Sequence, residues 1–126
     1  MRPWGFHLCL DIARCYSPAI KCPVHISNFS KALVKNINME AYGEPQVVYF
    51  GTENKAGLTL VQLITTSNIT AHFCEETSEG YIDIFSCKEF DKEKAKEVVN
   101  EYFMPLALKE HYIERQAPFV IHQDLP

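Results

Sequence analysis

The run Leu58 to Thr65 (LTLVQLIT) is the strongest strand signal in this chain, and its surroundings limit the fold more than any other feature. Only Thr66, Ser67 and Asn68 separate it from a second run at 69–73 (ITAHF). A link this short suits antiparallel neighbours. A polar, acidic loop from Cys74 to Glu79 leads to a third run at 81–86 (YIDIFS). Upstream, Gly43 and Pro45 mark a turn over Ala41 to Pro45, ahead of a short β-type run at 46–50 (QVVYF). Residues 6–13 (FHLCLDIA) alternate loosely, and 109–115 (KEHYIER) read as a last strand. Two stretches carry helical spacing instead. Over 28–39, Phe29, Ala32, Leu33 and Ile37 share a face, with Asn28 able to cap the start. Over 91–103, Ala95, Val98, Val99, Tyr102 and Phe103 recur every third or fourth residue. The expected order is β-α-β-β-β-β-α-β, an α+β fold. Its two amphipathic helices cover one face of a mostly antiparallel sheet. The other face then needs a partner, which predicts a dimer.

The length of 126 residues suits one domain, and 47% apolar with 22% charged residues are globular values. A net charge of −4 with no basic cluster argues against nucleic acid as a partner. No apolar run approaches the length of a membrane span. The opening residues Met1 to His7 lack the apolar core of a signal peptide, so a soluble cytoplasmic protein is expected. The five cysteines, Cys9, Cys15, Cys22, Cys74 and Cys87, are odd in number and form no CxxC pair. They predict reduced, mostly buried thiols and no zinc ribbon.

Ser67, His72 and Cys87 are the residues that could carry chemistry. Taken singly each has an ordinary explanation: a turn serine beside Asn68, a strand histidine, a strand-end cysteine. If 69–73 alternates, Thr70 and His72 lie on the face opposite Ile69, Ala71 and Phe73.

Together they form a pattern. Segment 67–87 reads SNITAHFCEETSEGYIDIFSC, with His72 five and Cys87 twenty residues after Ser67. It resembles the block of the short prokaryotic S-adenosylmethionine decarboxylase family, close to E-S-H-[apolar]-T-[apolar]-H-T-W-P-E followed by D-[apolar]-F-[ST]-C. Asp83, Phe85 and Ser86 fall into the same register. Gly5 to Leu8 with Asp11 resemble that family's opening, Gly57-Leu58-Thr59 its G-x-S, and Glu114-Arg115 its C-terminal part.

The resemblance implies a self-processing proenzyme. The Ser67 hydroxyl attacks the Thr66 carbonyl, and elimination and hydrolysis leave a pyruvoyl group on Ser67. The chain is thereby divided into residues 1–66 and 67–126. By the same resemblance His72 is the processing base and Thr59 a second processing hydroxyl, standing where the family has serine. Cys87 is the proton donor in turnover, since an ordinary thiol is mostly protonated at neutral pH. The pyruvoyl carbonyl takes the substrate amine as a Schiff base and serves as electron sink. No metal is expected. The implied assembly is a homodimer of processed protomers, or a higher state, forming an αββα sandwich with the active site between protomers. The expected activity is decarboxylation of S-adenosylmethionine, which makes the aminopropyl donor for spermidine.

The chain departs from the family chiefly on the substrate side. Thr66 replaces the family's Glu, Asn68 its His, and Phe73-Cys74-Glu75 its T-W-P. Glu76 falls where the family binds the ribose hydroxyls. Glu53 stands where an aromatic ring stacks on adenine, with Phe50 the nearby alternative. Carboxylates suit a guanidinium or ammonium better than an adenine, so arginine or ornithine is the alternative substrate. A second alternative is an inactive regulatory paralogue. Ser67, His72, Cys87 and the Thr59 hydroxyl, all present, weigh against it.

Overall fold

A computed structural model describes residues 2–120; Met1 and the tail from 121 to 126 lie outside the described residues. Its elements are β1 (Gly5–Ala13), α1 (Ser17–Ile20), α2 (Pro23–Asn36), β2 (Ala41–Phe50), a 3-10 turn (Glu53–Lys55), β3 (Gly57–Ile64), β4 (Ser67–Cys74), β5 (Glu79–Ser86), α3 (Lys92–Phe103) and β6 (Ala107–Arg115). The six strands form one antiparallel sheet in the order β2-β3-β4-β5-β1-β6. The strands from β2 to β5 form a meander. β1 then closes it from far away in sequence, wedged between β5 and β6.

Strict alternation divides the sheet into two unlike faces. Phe6, Leu8, Leu10, Ile12, Leu58, Leu60, Ile69, Ala71, Ile82 and Ile84 point to the helices and are all buried. Phe29 from α2 and Phe103 from α3 meet over this face at 4.7 Å, and Phe73 reaches Phe103 at 4.9 Å. The face away from the helices carries His7, Cys9, Asp11, Thr59, Thr70, His72, Tyr81 and Asp83. It also exposes Leu63 and Ile113.

Several expected boundaries move. α2 starts at Pro23, not Asn28, and the Cys22 Sγ caps it by accepting from the His25 N–H. Asn28 lies inside the helix, because a proline in the first turn loses no hydrogen bond and presets φ. α1 carries a proline in its first turn too; at four residues it is too short to show a period. The turn expected at 41–45 is the first half of β2, whose register with β3 shifts between Tyr42 and Gln46. The odd cysteines behave as expected in one case: burial pushes the Cys15 thiol up to about 11. None of the five is in a disulfide. Among the described residues no helix is long and apolar enough to cross a membrane.

Candidate active site

The β3–β4 hairpin turns on Thr65 and Thr66 alone. Thr66 sits at φ +56°, the left-handed region that a β-branched residue enters at a cost. Its hydroxyl donates to the Thr65 carbonyl at 2.7 Å, and it lies 2.7 Å from the Cys87 Sγ. Ser67 is the first residue of β4, not a turn residue, and pairs with Ser86 on β5. The Cys87 N–H donates to the Ser67 Oγ at 3.3 Å. One end of the sheet thus gathers a hydroxyl, the strained peptide before it, and a thiol. A pocket of about 360 Å³ lined by Met39, Glu40, Ile64, Thr66, Cys87 and Lys88 opens beside them.

Thr59 and His72 form a second group. They are cross-strand partners on β3 and β4, and the Thr59 Oγ1 lies 3.1 Å from the His72 Nδ1. Both sit on the face without helices, as the alternation of 69–73 predicts. Tyr81 stands opposite His72 on β5, and its hydroxyl donates to Glu79 at 3.4 Å. The Thr77 hydroxyl donates to the same carboxylate at 2.8 Å. A pocket of about 280 Å³ lies among Asn54, Lys55, His72, Cys74, Glu79 and Tyr81. Tyr81 was not singled out in sequence, whereas Glu79 belongs to the acidic loop that was. The signal was present, since alternation in YIDIFS puts Tyr81 on the His72 side.

The two groups do not meet within one chain. Five strand residues at about 3.3 Å each put Ser67 roughly 16 Å from His72, and they project from opposite faces of β4.

The loops that carry the substrate-side residues do lie together. The Cys74 Sγ donates to the Asn54 carbonyl at 2.8 Å, and the Glu75 N–H donates to the Ala56 carbonyl at 3.0 Å. This ties the acidic β4–β5 turn to the loop holding Glu53. Glu75 accepts from the Tyr49 hydroxyl at 3.1 Å, and that contact is the main reason the tyrosine is pushed above its ordinary pKa. Glu53, Glu76 and Phe50 are exposed. Gly57 closes the loop where only glycine fits: a Cβ there would stand 1.8 Å from the Phe73 carbonyl oxygen.

Residues 6–116 match the family described as S-adenosylmethionine decarboxylase. The chain is also similar in structure to the adenosylmethionine decarboxylase of Aquifex aeolicus, with a TM-score of 0.80 over 94% of this chain and 96% of that one. At 19% identity this likeness is one of fold. No curated protein sequence matches the chain.

Proposed function

This chain belongs to the S-adenosylmethionine decarboxylase family, a family of carboxy-lyases, and from that we propose that it is a self-processing, pyruvoyl-dependent decarboxylase acting on S-adenosylmethionine. The observation that carries the reading is the convergence of Ser67, the left-handed Thr66 and Cys87 at one sheet end. Cleavage at Thr66–Ser67 needs a hydroxyl next to a carbonyl whose peptide is already strained. That arrangement is present, and breaking the bond relieves the strain. The pyruvoyl group made from Ser67 supplies an electrophilic carbonyl that draws electrons from the substrate as carbon dioxide leaves. Cys87, within reach of Thr66, is placed to return a proton to the substrate carbon.

The separation of Ser67 from His72 gives the dimer a role. The face without helices holds the Thr59–His72 pair and exposes Leu63, Tyr81 and Ile113. Two such faces packed together form the αββα body. We place the Thr59–His72 pair of one protomer against Ser67 and Cys87 of the other. His72 then accepts the proton removed during processing, with Thr59 orienting its ring through the Nδ1 contact.

A basic amino acid is the second reading of the substrate. Tyr49 holds Glu75, and Thr77 and Tyr81 hold Glu79, so one carboxylate is anchored in the His72 pocket and a second on the adjoining turn instead of moving freely in water. Fixed carboxylates suit a guanidinium or ammonium.

The denatured intact mass of the purified protein tests the chemistry. Two fragments divided at Thr66–Ser67, the second beginning with a pyruvoyl group, are expected. A single full-length mass overturns self-processing in this chain and favours an inactive partner. Carbon dioxide release from S-adenosylmethionine, arginine and ornithine, run side by side, then decides the substrate. Release from arginine or ornithine alone overturns the nucleoside substrate.

A further inference from the structure

A third cluster lies on the helix-free face, one register step along β5 from Tyr81. His7 and Cys9 project side by side from β1 by its two-residue period. Asp83 stands directly across from Cys9 on β5. The His7 Nε2 is 3.0 Å from the Asp83 Oδ1 and 3.4 Å from the Cys9 Sγ. The three donor atoms all fall within 4.8 Å of one another.

We propose that His7, Cys9 and Asp83 bind a zinc-class divalent cation. Tetrahedral zinc holds nitrogen and oxygen at about 2.0–2.2 Å and sulfur at about 2.3 Å, which spaces neighbouring donors about 3.3–3.7 Å apart. The observed 3.0 and 3.4 Å lie within a few tenths of an ångström of that spacing. The donors suit a borderline-soft ion: imidazole and thiolate disfavour magnesium and calcium, which want oxygen alone. The charges balance, because one thiolate and one carboxylate neutralise the ion. On binding, the Cys9 thiol gives its proton to solvent as the sulfur–metal bond forms. Among the described residues His7 is the only ion-pair partner of Asp83, so no lysine or arginine competes for the site. All three residues are only partly buried in the single chain, so an ion can enter before two such faces pack together.

A fourth position is open, and a candidate for it stands nearby. His111 on β6 is the direct partner of Cys9, and its Nε2 now meets the Asp11 Oδ2 at 3.4 Å. A cross-strand Cβ separation of about 5 Å puts that imidazole one rotamer change from the same ion. β1, β5 and β6 would then be joined at one point. If the chain is cleaved after Thr66 as proposed above, His7 and Cys9 come from one fragment and Asp83 and His111 from the other. The ion would tie the fragments together; the site itself does not depend on the cleavage.

The test is titration of cobalt(II), then zinc, into purified protein stripped with a chelator. One cobalt per chain is expected, with a thiolate charge-transfer band that zinc abolishes at equal stoichiometry. Cys9→Ser should remove the band. Asp83→Asn, nearly the same shape, should weaken binding by more than the roughly 10–100-fold that an outer-shell loss costs. Cys22→Ser, which alters an exposed thiol elsewhere, should change neither. Far-ultraviolet dichroism of each variant confirms the fold. Absence of saturable binding, or a band that survives Cys9→Ser, overturns the proposal.

Discussion

The two faces of one sheet follow opposite rules. The face under the helices is closed: its side chains are mostly aliphatic or aromatic, and Leu8, Leu10, Leu60, Ile69, Ala71 and Ile84 have no exposed surface. Ser30 and Gln62 are buried with the core and share a hydrogen bond at 3.4 Å. The other face mixes acids, histidines, hydroxyls and a thiol with exposed Leu63, Tyr81 and Ile113. Every strand contributes to both faces in alternation. One face therefore holds the fold together and the other is open for association; Ser67 lies on the helix-side register of β4, at the sheet end where the core stops.

Substitutions on the open face, in the apolar core and at the sheet end should separate these roles, the largest effect coming from the proposed processing site. Ser67→Ala is expected to remain one uncleaved chain without decarboxylase activity, with its melting temperature little changed. Intact mass and carbon dioxide release check this, and a Ser67→Ala protein that still decarboxylates removes Ser67 from the mechanism. His72→Asn should slow cleavage by about 10²–10⁴-fold, the usual worth of a positioned general base. The time course of fragment formation reads this directly. Mixing His72→Asn with Ser67→Ala chains sharpens the comparison. Cleavage restored only in the mixture supports a site shared between protomers, and no restoration argues against it.

Changes in the apolar core, away from the sheet end that holds Ser67, should show in stability and leave the chemistry intact in whatever protein folds. Leu8→Ala is expected to cost about 2–5 kcal/mol through lost burial and a residual cavity. Gly57→Ala should cost a similar amount, since its Cβ would meet the Phe73 carbonyl at 1.8 Å and β3 or β4 would have to shift. Chemical denaturation gives both values. Leu63→Ser on the open face should cost less than about 1 kcal/mol in the single chain and should weaken self-association. A large stability loss there would erase the distinction between the faces.

The smallest expected effect is electrostatic. The hydrogen bond from Lys96 at 2.8 Å holds the Glu110 carboxyl below its ordinary range, with Lys92 adding to the effect. A depressed carboxylate pKa stabilises the fold above the unfolded value, and that contribution fades as pH falls through the folded value. Glu110→Gln should therefore lower the melting temperature slightly at neutral pH and not at all in strong acid. The difference should correspond to less than about 1 kcal/mol for a partly exposed surface pair.

The sequence alone determined the class of fold and singled out the residues proposed for the chemistry. Period-two runs at 58–65, 69–73 and 81–86 specify strands. The same alternation put His72 on the face opposite Ile69 and Ala71. The spacing of Ser67, His72 and Cys87 pointed to the family that residues 6–116 match. These features are local, or are counted along the chain, so no folding was needed to read them. One helix start was misplaced and one short helix was missed, because Pro23 and Pro18 open helices as readily as they break them.

Tertiary structure decided which of these residues meet. Seeing that Cys87 touches Thr66 required the β4–β5 pairing. That Ser67 and His72 lie far apart despite a five-residue spacing follows from the extended rise of a strand. The His7–Cys9–Asp83 cluster was invisible beforehand, because it depends on β1 inserting between β5 and β6. Local periodicity says which way a side chain faces. It does not say which distant strand will lie alongside, since that is set by the burial of the whole apolar face at once.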